Sequence, residues 1–573
     1  MLYLFQRPLL RVSYLLGGTF IIVSLLSLDI WNVTQMKWNW VDSHWIINQA
    51  KSHPDFWTYN THESMGRDRS GYSLFYQVSH MIYGVDSEYG AQFQYAINYA
   101  IHALTIIGAA FVLIQHISSR LKVLFYTVFI MVQSSGPEVY LNQTKNEHFG
   151  TLWFVLTCIL FTNGYHSRQY TSLLRKYLLH ITILTCTALS IGFLGKETFI
   201  FFIIAFVIGR FLIPIATKST IFSLTPVDSY ILTMIAGTLV YFAYRTITGV
   251  KLPLQGSYSS ALVSSLSFFD RIFTFQVFFV HSLDLLLIVC LANLFLLYIY
   301  LAHTSTPDFD LSSLYIFHVC ALGSALFVIF HVVFIRYPGT YYLYPPAVMS
   351  IIATAIGFES QGFSVSSRSR LARTLITTFL TVLLFFTFSR WLSRSSAMVS
   401  VTRSVERILS LISRLPEHSR ILIDPLRPAD ERIGSLHIIM TYIYHRNDIV
   451  FESIEHLGPV TQCDHVWLLT TGTSPTAPRF GFGVRDLNGW SDTKRTTDVT
   501  LISTDHNWLL SKLDVASYRE TVPLYLFPVW QLQPSALATR RTTLLAESIT
   551  LEWDLYQIQP DPTNGFINCS NAN

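Results

Sequence analysis

The sequence predicts a mostly α-helical, polytopic membrane protein: a transmembrane bundle of about 11 spans followed by a C-terminal extracytoplasmic α/β domain. Three observations carry this expectation. Of the 573 residues, 51% are hydrophobic and only 13% charged, whereas soluble domains carry about 25% charged residues. Mean hydropathy is +0.40. Apolar runs long enough to cross a hydrocarbon core about 30 Å thick recur through residues 1–395 and then stop. This composition excludes a soluble globular enzyme. The formal net charge of +4 is too small to imply a nucleic-acid partner. The chain contains 12 Trp and 30 Tyr, residue types that collect at membrane–water interfaces.

The predicted spans cover residues 11–30, 93–116, 122–135, 149–164, 177–195, 197–215, 226–246, 274–300, 312–335, 338–357 and 374–393. The third is short and ends near Gly136-Pro137, and the fifth and sixth are separated only by Gly195-Lys196-Glu197. Arg7, Arg11, Arg120, Lys122, Arg168, Arg175, Lys176, Lys218, Arg368, Arg370 and Arg373 all fall on one side of this alternation. Basic residues in short loops mark the cytoplasmic side, so the N-terminus is expected there and the C-terminal domain opposite. The first span then serves as an uncleaved anchor.

Loop 31–92 is the longest on the extracytoplasmic side, with interfacial helices expected at 42–50 and 72–83. Loop 247–273 carries Asp270 and Arg271. The expected division is a transmembrane domain over 1–395 and a soluble domain over 396–573. In the latter, 420–424, 466–469 and 499–502 read as strands and 430–445 as a helix. Cys158, Cys186, Cys290 and Cys320 read as small core residues, while Cys463 and Cys569 could pair in an oxidising compartment.

Charge near a membrane is costly, so charged clusters at span ends are the informative residues. Four converge on the extracytoplasmic side: Asp42-Ser43-His44, Lys145-Asn146-Glu147-His148, Lys196-Glu197 and Arg336-Tyr337. Carboxylates and imidazoles suit general-base chemistry, and Lys or Arg suits phosphate. Each has a plainer reading. Asp42 reads also as a helix N-cap, Glu147 as a carboxylate at a helix N-terminus, Lys196 and Glu197 as solvated turn charges, and Arg336 as a snorkelling side chain. His44, His62, His80 and His148 lack any HxxxH or HExxH spacing, so no metal or other cofactor is expected, although a divalent ion is possible.

The order of these features resembles the C-type glycosyltransferases (GT-C), especially the branch related to protein mannosyltransferases and lipid A aminoarabinose transferases. Trp40-Val41-Asp42-Ser43-His44-Trp45 stands where the family carries an acid after its first span. Gly71-Tyr72-Ser73-Leu74-Phe75-Tyr76 is similar to its juxtamembrane stretch, without the proline, and Asn98 matches an Asn near the start of the next span. Asn146-Glu147-His148-Phe149, Gly195-Lys196-Glu197-Thr198 and Arg336-Tyr337-Pro338 with Tyr341-Tyr342-Leu343-Tyr344-Pro345 are similar to three further family segments. The single acid at Asp42 departs from members with paired acids; Glu63, Asp55, Asp68 or Glu147 would supply the second.

The resemblance implies an inverting transfer of a sugar from a polyprenyl-phosphate donor to a lipid, glycan or protein acceptor, in a bacterial inner membrane with the site on the periplasmic side. Asp42, with Glu147, would be catalytic. Lys196, Arg336, Arg245 and Arg271 would hold the donor phosphate. His44, Glu197, Tyr337, Tyr76 and Glu63 would contact substrate. The alternative class is a transporter or lipid flippase. The halves of this chain do not look alike, however, and its informative charges lie at span ends apart from Asp228 and Asp284.

Overall fold

The computed structural model describes residues 8–38, 47, 81–82, 84, 89–133, 135–141, 146–166, 173–216, 226–247, 310–331, 340–360, 370–423, 429–453, 465–472, 490–495 and 552–560. The membrane part is built from α1 (Pro8–Gln35), α2 (Gly90–His116), α3 (Arg120–Met131), α4 (Gly136–Tyr140), α5 (Glu147–His166) and α6 (Leu173–Ala188). It continues with α7 (Ile200–Ala216), α8 (Pro226–Ile247), α9 (Leu311–Phe330), α10 (Tyr344–Ser360) and α11 (Arg370–Ile412). Among the described residues, six helical segments are long and apolar enough to cross a membrane. The chain is therefore an integral membrane protein with a mostly α architecture. The expected span at 274–300, the loop at 247–273 and the interfacial helices of the first loop lie outside the described residues, apart from isolated positions such as Ile47 and Met81.

The remaining expected spans each have a helical counterpart. The third divides in two: α3 has 12 residues, a length of about 18 Å, too short for a bilayer core. Pro137 then sits in the first turn of α4, where its missing N–H costs nothing. The core between α5, α7 and α9 is aromatic. Phe154 packs against Phe202 with centroids 4.7 Å apart, and Phe161 against Phe206 at 5.1 Å. Gly323 of α9 faces the Phe202 ring so closely that a Cβ there would lie 2.3 Å from it. Small residues at such crossings let helices approach where lipid offers no hydrophobic drive between them.

α11 departs from expectation. The sequence predicts a last span ending at 393, yet the helix runs unbroken for 43 residues to Ile412, about 65 Å at 1.5 Å per residue and twice the hydrocarbon thickness. No Gly or Pro interrupts it. Arg390, Arg394, Arg403, Glu406 and Arg407 end the apolar run. Helical spacing nevertheless continues to bury Trp391, Ser395, Val399, Thr402, Val405, Ile408, Leu409 and Ile412.

This distal half shares a second hydrophobic cluster with the C-terminal domain, where Ile421, Leu436, Ile439, Met440, Ile449, Phe451, Trp467 and Leu469 are buried. The domain contains β1 (Arg420–Ile423), α12 (Ala429–Tyr442), β2 (Val450–Ser453), β3 (Val466–Gly472), β4 (Trp490–Arg495) and β5 (Glu552–Pro560). Its open sheet has the order β2-β1-β3-β5-β4. β1 pairs in parallel with β2 and β3, β5 runs antiparallel to β3, and β4 runs antiparallel to β5. Arg446 ties the domain to α11: its guanidinium donates to the carbonyls of Ser413 (2.5 Å), Leu415 (3.1 Å) and Pro416 (3.2 Å) at the end of the helix. The expected strand at 499–502, Cys463 and Cys569 lie outside the described residues.

Candidate functional site

The alternation of helices gathers the ends of α1, α6, α8 and α9 and the starts of α2, α5, α7 and α10 at one end of the bundle. The other end carries Lys122, which pairs with Glu359, and Asp310, which caps α9 by accepting from the backbone N–H of Ser312 and Ser313. Arg210 of α7 and Asp228 of α8, the charge singled out as an exception, form an ion pair nearer that second end.

At the first end the chain between α6 and α7 makes a close turn. Leu189–Phe193 widens into a π-helical turn, a distortion frequent at functional sites. Leu194 and Gly195 N–H both donate to the Leu189 carbonyl, at 3.1 and 2.9 Å, and Lys196 N–H donates to Ser190 O at 3.1 Å. Gly195 is required here, since a Cβ would lie 1.8 Å from Ser190 O and 2.8 Å from the Cα of Gly150. Gly150 in turn faces Phe199 and Gly195. These two glycines let the turn lie backbone to backbone against the first turn of α5. Asn146 Nδ2 then donates to Gly195 O at 2.6 Å.

That approach brings Lys196 to Glu147, with which it forms an ion pair. The Lys196 ammonium also lies 4.1 Å from the centre of the Tyr342 ring, a cation–π contact. Tyr342 belongs to the short 3₁₀ turn Thr340–Leu343 before α10, and its ring also lies 4.6 Å from that of His331. One residue on, Glu197 accepts from Arg245 of α8 at 2.6 Å. Tyr241, one helical turn earlier on α8, lies 3.5 Å from both Glu197 and Arg245.

The two pairs are exposed in opposite senses. In the first, Glu147 is fully enclosed and Lys196 keeps 12% side-chain exposure; in the second, Arg245 keeps 3% and Glu197 29%. The less buried members are thus Lys196 and Glu197, adjacent residues of opposite charge. Each is backed by a buried counter-charge, without which the enclosed group would be stranded. Among the described residues, the Oε2 of Glu147, the Oδ1 of Asn146 and both ring nitrogens of His148 are buried without a hydrogen-bond partner.

Four predicted site residues thus meet in two contacts: Glu147 with Lys196, and Glu197 with Arg245. Asp42, His44, Glu63, Tyr76, Arg271, Arg336 and Tyr337 lie outside the described residues. Sequence reasoning did not single out Asp29, which is buried in α1 and accepts from Tyr140. Tyr140 stacks on His102 at 4.8 Å, and His102 Nδ1 shares a 2.7 Å hydrogen bond with Tyr344. An acid inside an apolar run is the signal that could have found it. Among the described residues no group of three or more His, Cys, Asp or Glu side chains is placed to hold a metal ion.

No protein-family model matches the chain. No curated protein matches it. Among solved structures it is similar to the crystal structure of ArnT from Cupriavidus metallidurans bound to undecaprenyl phosphate, with 9% identity and a TM-score of 0.45, covering 79% of this chain and 93% of that one. A likeness of this size leaves the activity to be argued from the residues.

Proposed function

We propose that the protein is an inverting glycosyltransferase that moves a sugar from a polyprenyl-phosphate donor to an acceptor hydroxyl at the end of the bundle holding Lys196 and Glu197. The observation that carries this reading is the pair of opposite charges those adjacent residues offer. Lys196 suits the donor phosphate, and Glu197 suits sugar hydroxyls. The three stretches around Glu147, Lys196 and Tyr342, far apart in sequence, meet at this point. Each resembles a GT-C segment, and their meeting supports treating them as one site.

In this reading Asp42 takes the proton of the acceptor hydroxyl as its oxygen attacks the anomeric carbon. The bond from that carbon to the phosphate oxygen breaks, and polyprenyl phosphate leaves with its electron pair. Lys196, Arg336 and Arg271 bind the leaving phosphate. Arg245, enclosed in the structure, acts through Glu197. Glu147 holds Lys196 in place and is next in line as base. His44, Tyr76, Glu63 and Tyr337 contact substrate. The membrane is a bacterial inner membrane, with the site on its periplasmic face.

The test is transfer of radiolabelled sugar from a panel of polyprenyl-phosphate sugars by purified protein in lipid and detergent, beside Asp42→Asn. The expected result is transfer or donor hydrolysis by the wild type and none by the variant, with equal folding. Equal activity in both removes Asp42 as the base. A folded wild type that neither turns over nor binds any donor overturns the class and favours transport.

A further inference from the structure

α1 is a peripheral helix: Leu16, Phe20, Ile30 and Trp31 are exposed along it. Its last residue, Gln35, and the three that follow it are held by other parts of the chain. Gln35 accepts a hydrogen bond from Arg403. Met36 is fully buried, with Thr402 Oγ1 3.8 Å from its sulfur. Lys37 pairs with Glu406 at 2.9 Å, and its carbonyl accepts from Tyr95 Oη at 3.2 Å. Trp38 is buried in the same cluster as Val399 and Val405. Four consecutive residues are thus held, three of them by side chains from one stretch of α11, at the point where the chain leaves the bundle for the 31–92 loop. The partners are separated by 368 residues in the case of Gln35 and Arg403.

We propose that Arg403 and Glu406 are positioning residues: through Gln35 and Lys37, the distal half of α11 sets where the first loop starts, and so couples the C-terminal domain to the activity of the membrane part. None of Gln35, Lys37, Arg403 and Glu406 is among the residues assigned to the candidate site. Lys37 precedes Asp42 by five residues in sequence, which an extended chain spans in at most about 18 Å. A displaced start of the loop would therefore carry Asp42 out of place with it. The effect on turnover rests on the transferase reading; the clamp itself does not.

The Lys37–Glu406 pair is half exposed, so its own contribution is small, but reversing one charge sets two like charges against each other. The experiment compares Lys37→Glu, Glu406→Lys and the double reversal in the full-length protein. The two readouts are hydrogen exchange of residues 33–38 and steady-state transfer. Each single reversal is expected to speed exchange at 33–38 by roughly fivefold. It is also expected to lower kcat by roughly fivefold with the donor KM unchanged, and the double should recover both. Unchanged exchange in the singles, or a double no better than the worse single, overturns the clamp. Exchange that responds and recovers beside unchanged kcat overturns the positioning role. If exchange responds and recovers while even the wild type lacks transfer, the clamp is supported and the transferase reading fails.

Discussion

Replacing Lys196 by Met removes the ammonium from a carboxylate with no solvent contact, since Glu147 is fully enclosed. Breaking a buried ion pair by deleting one partner costs about 3–5 kcal/mol, because the remaining charge is stranded. Removing both partners in Glu147→Gln with Lys196→Met leaves no buried charge, and the cost should fall to about 1–2 kcal/mol. Glu147→Gln alone should lie between, because the Lys196 ammonium keeps the Tyr342 ring and some solvent. Cys158, Cys186 and Cys320 are buried thiols in the bundle, so a thiol-reactive dye reports their exposure as the fold opens. At one tenfold per 1.4 kcal/mol, with the pair formed after the folding transition state, Lys196→Met should expose them roughly 150- to 4,000-fold faster than wild type. The double variant should be slower to open than Lys196→Met alone. A Lys196→Met rate within about threefold of wild type, or a double variant that opens no more slowly than Lys196→Met alone, would refute the argument that the pair is structurally interdependent.

The second pair should respond in the opposite order: Glu197→Gln, which takes the carboxylate from the nearly enclosed Arg245, should destabilise more than Arg245→Gln, measured by the same dye. Gly195→Ala should fail to accumulate as folded protein or should lose transfer, because its Cβ meets backbone atoms that cannot yield; Gly17→Ala, with open space around it, should behave as wild type in size-exclusion profile and turnover. In the C-terminal domain the Arg446 guanidinium, aided by the His418 backbone N–H, holds the Asp448 carboxyl well below the usual carboxylate range. A depressed folded pKa gives stability that is fully present above the unfolded value of about 3.9 and is lost as pH falls through the folded one. Asp448→Asn should therefore be less stable than wild type at pH near 7, and the difference should shrink only below about pH 4; a difference constant across that window in thermal unfolding would remove the carboxylate's role.

The part of the candidate site that lies among the described residues was legible because a charge at the end of an apolar run is conspicuous. Glu147, Lys196 and Glu197 stand out on that ground. Arg245, in the last turn of α8, was named as a phosphate ligand only through the family resemblance, and its pairing with Glu197 was not foreseen. Asp29 was passed over because, with the first span ending at 30, it reads as a span-end charge, whereas α1 continues to Gln35 and Asp29 is buried beside Tyr140. The contact of Tyr342 with Lys196 depends on how a short 3₁₀ turn aims one ring, which no spacing rule specifies. α11 was cut short because its arginines resemble the end of a span, although buried positions every three or four residues persist to Ile412. In the sheet, β1 and β3 are apolar and were expected. β2 has only four residues, and β4, at the sheet edge, reads Trp-Ser-Asp-Thr-Lys-Arg without alternation.

The length of α11 also sets a timetable. Gln35 leaves the ribosome 368 residues before the Arg403 that receives it, an interval of about 20–70 s at ordinary rates of synthesis. Throughout that interval the first helix is inserted while its distal end has no partner from α11. The last of the described membrane helices is the one that completes the first. A chain stopped before residue 399 would hold its helices in the bilayer yet never close that circuit.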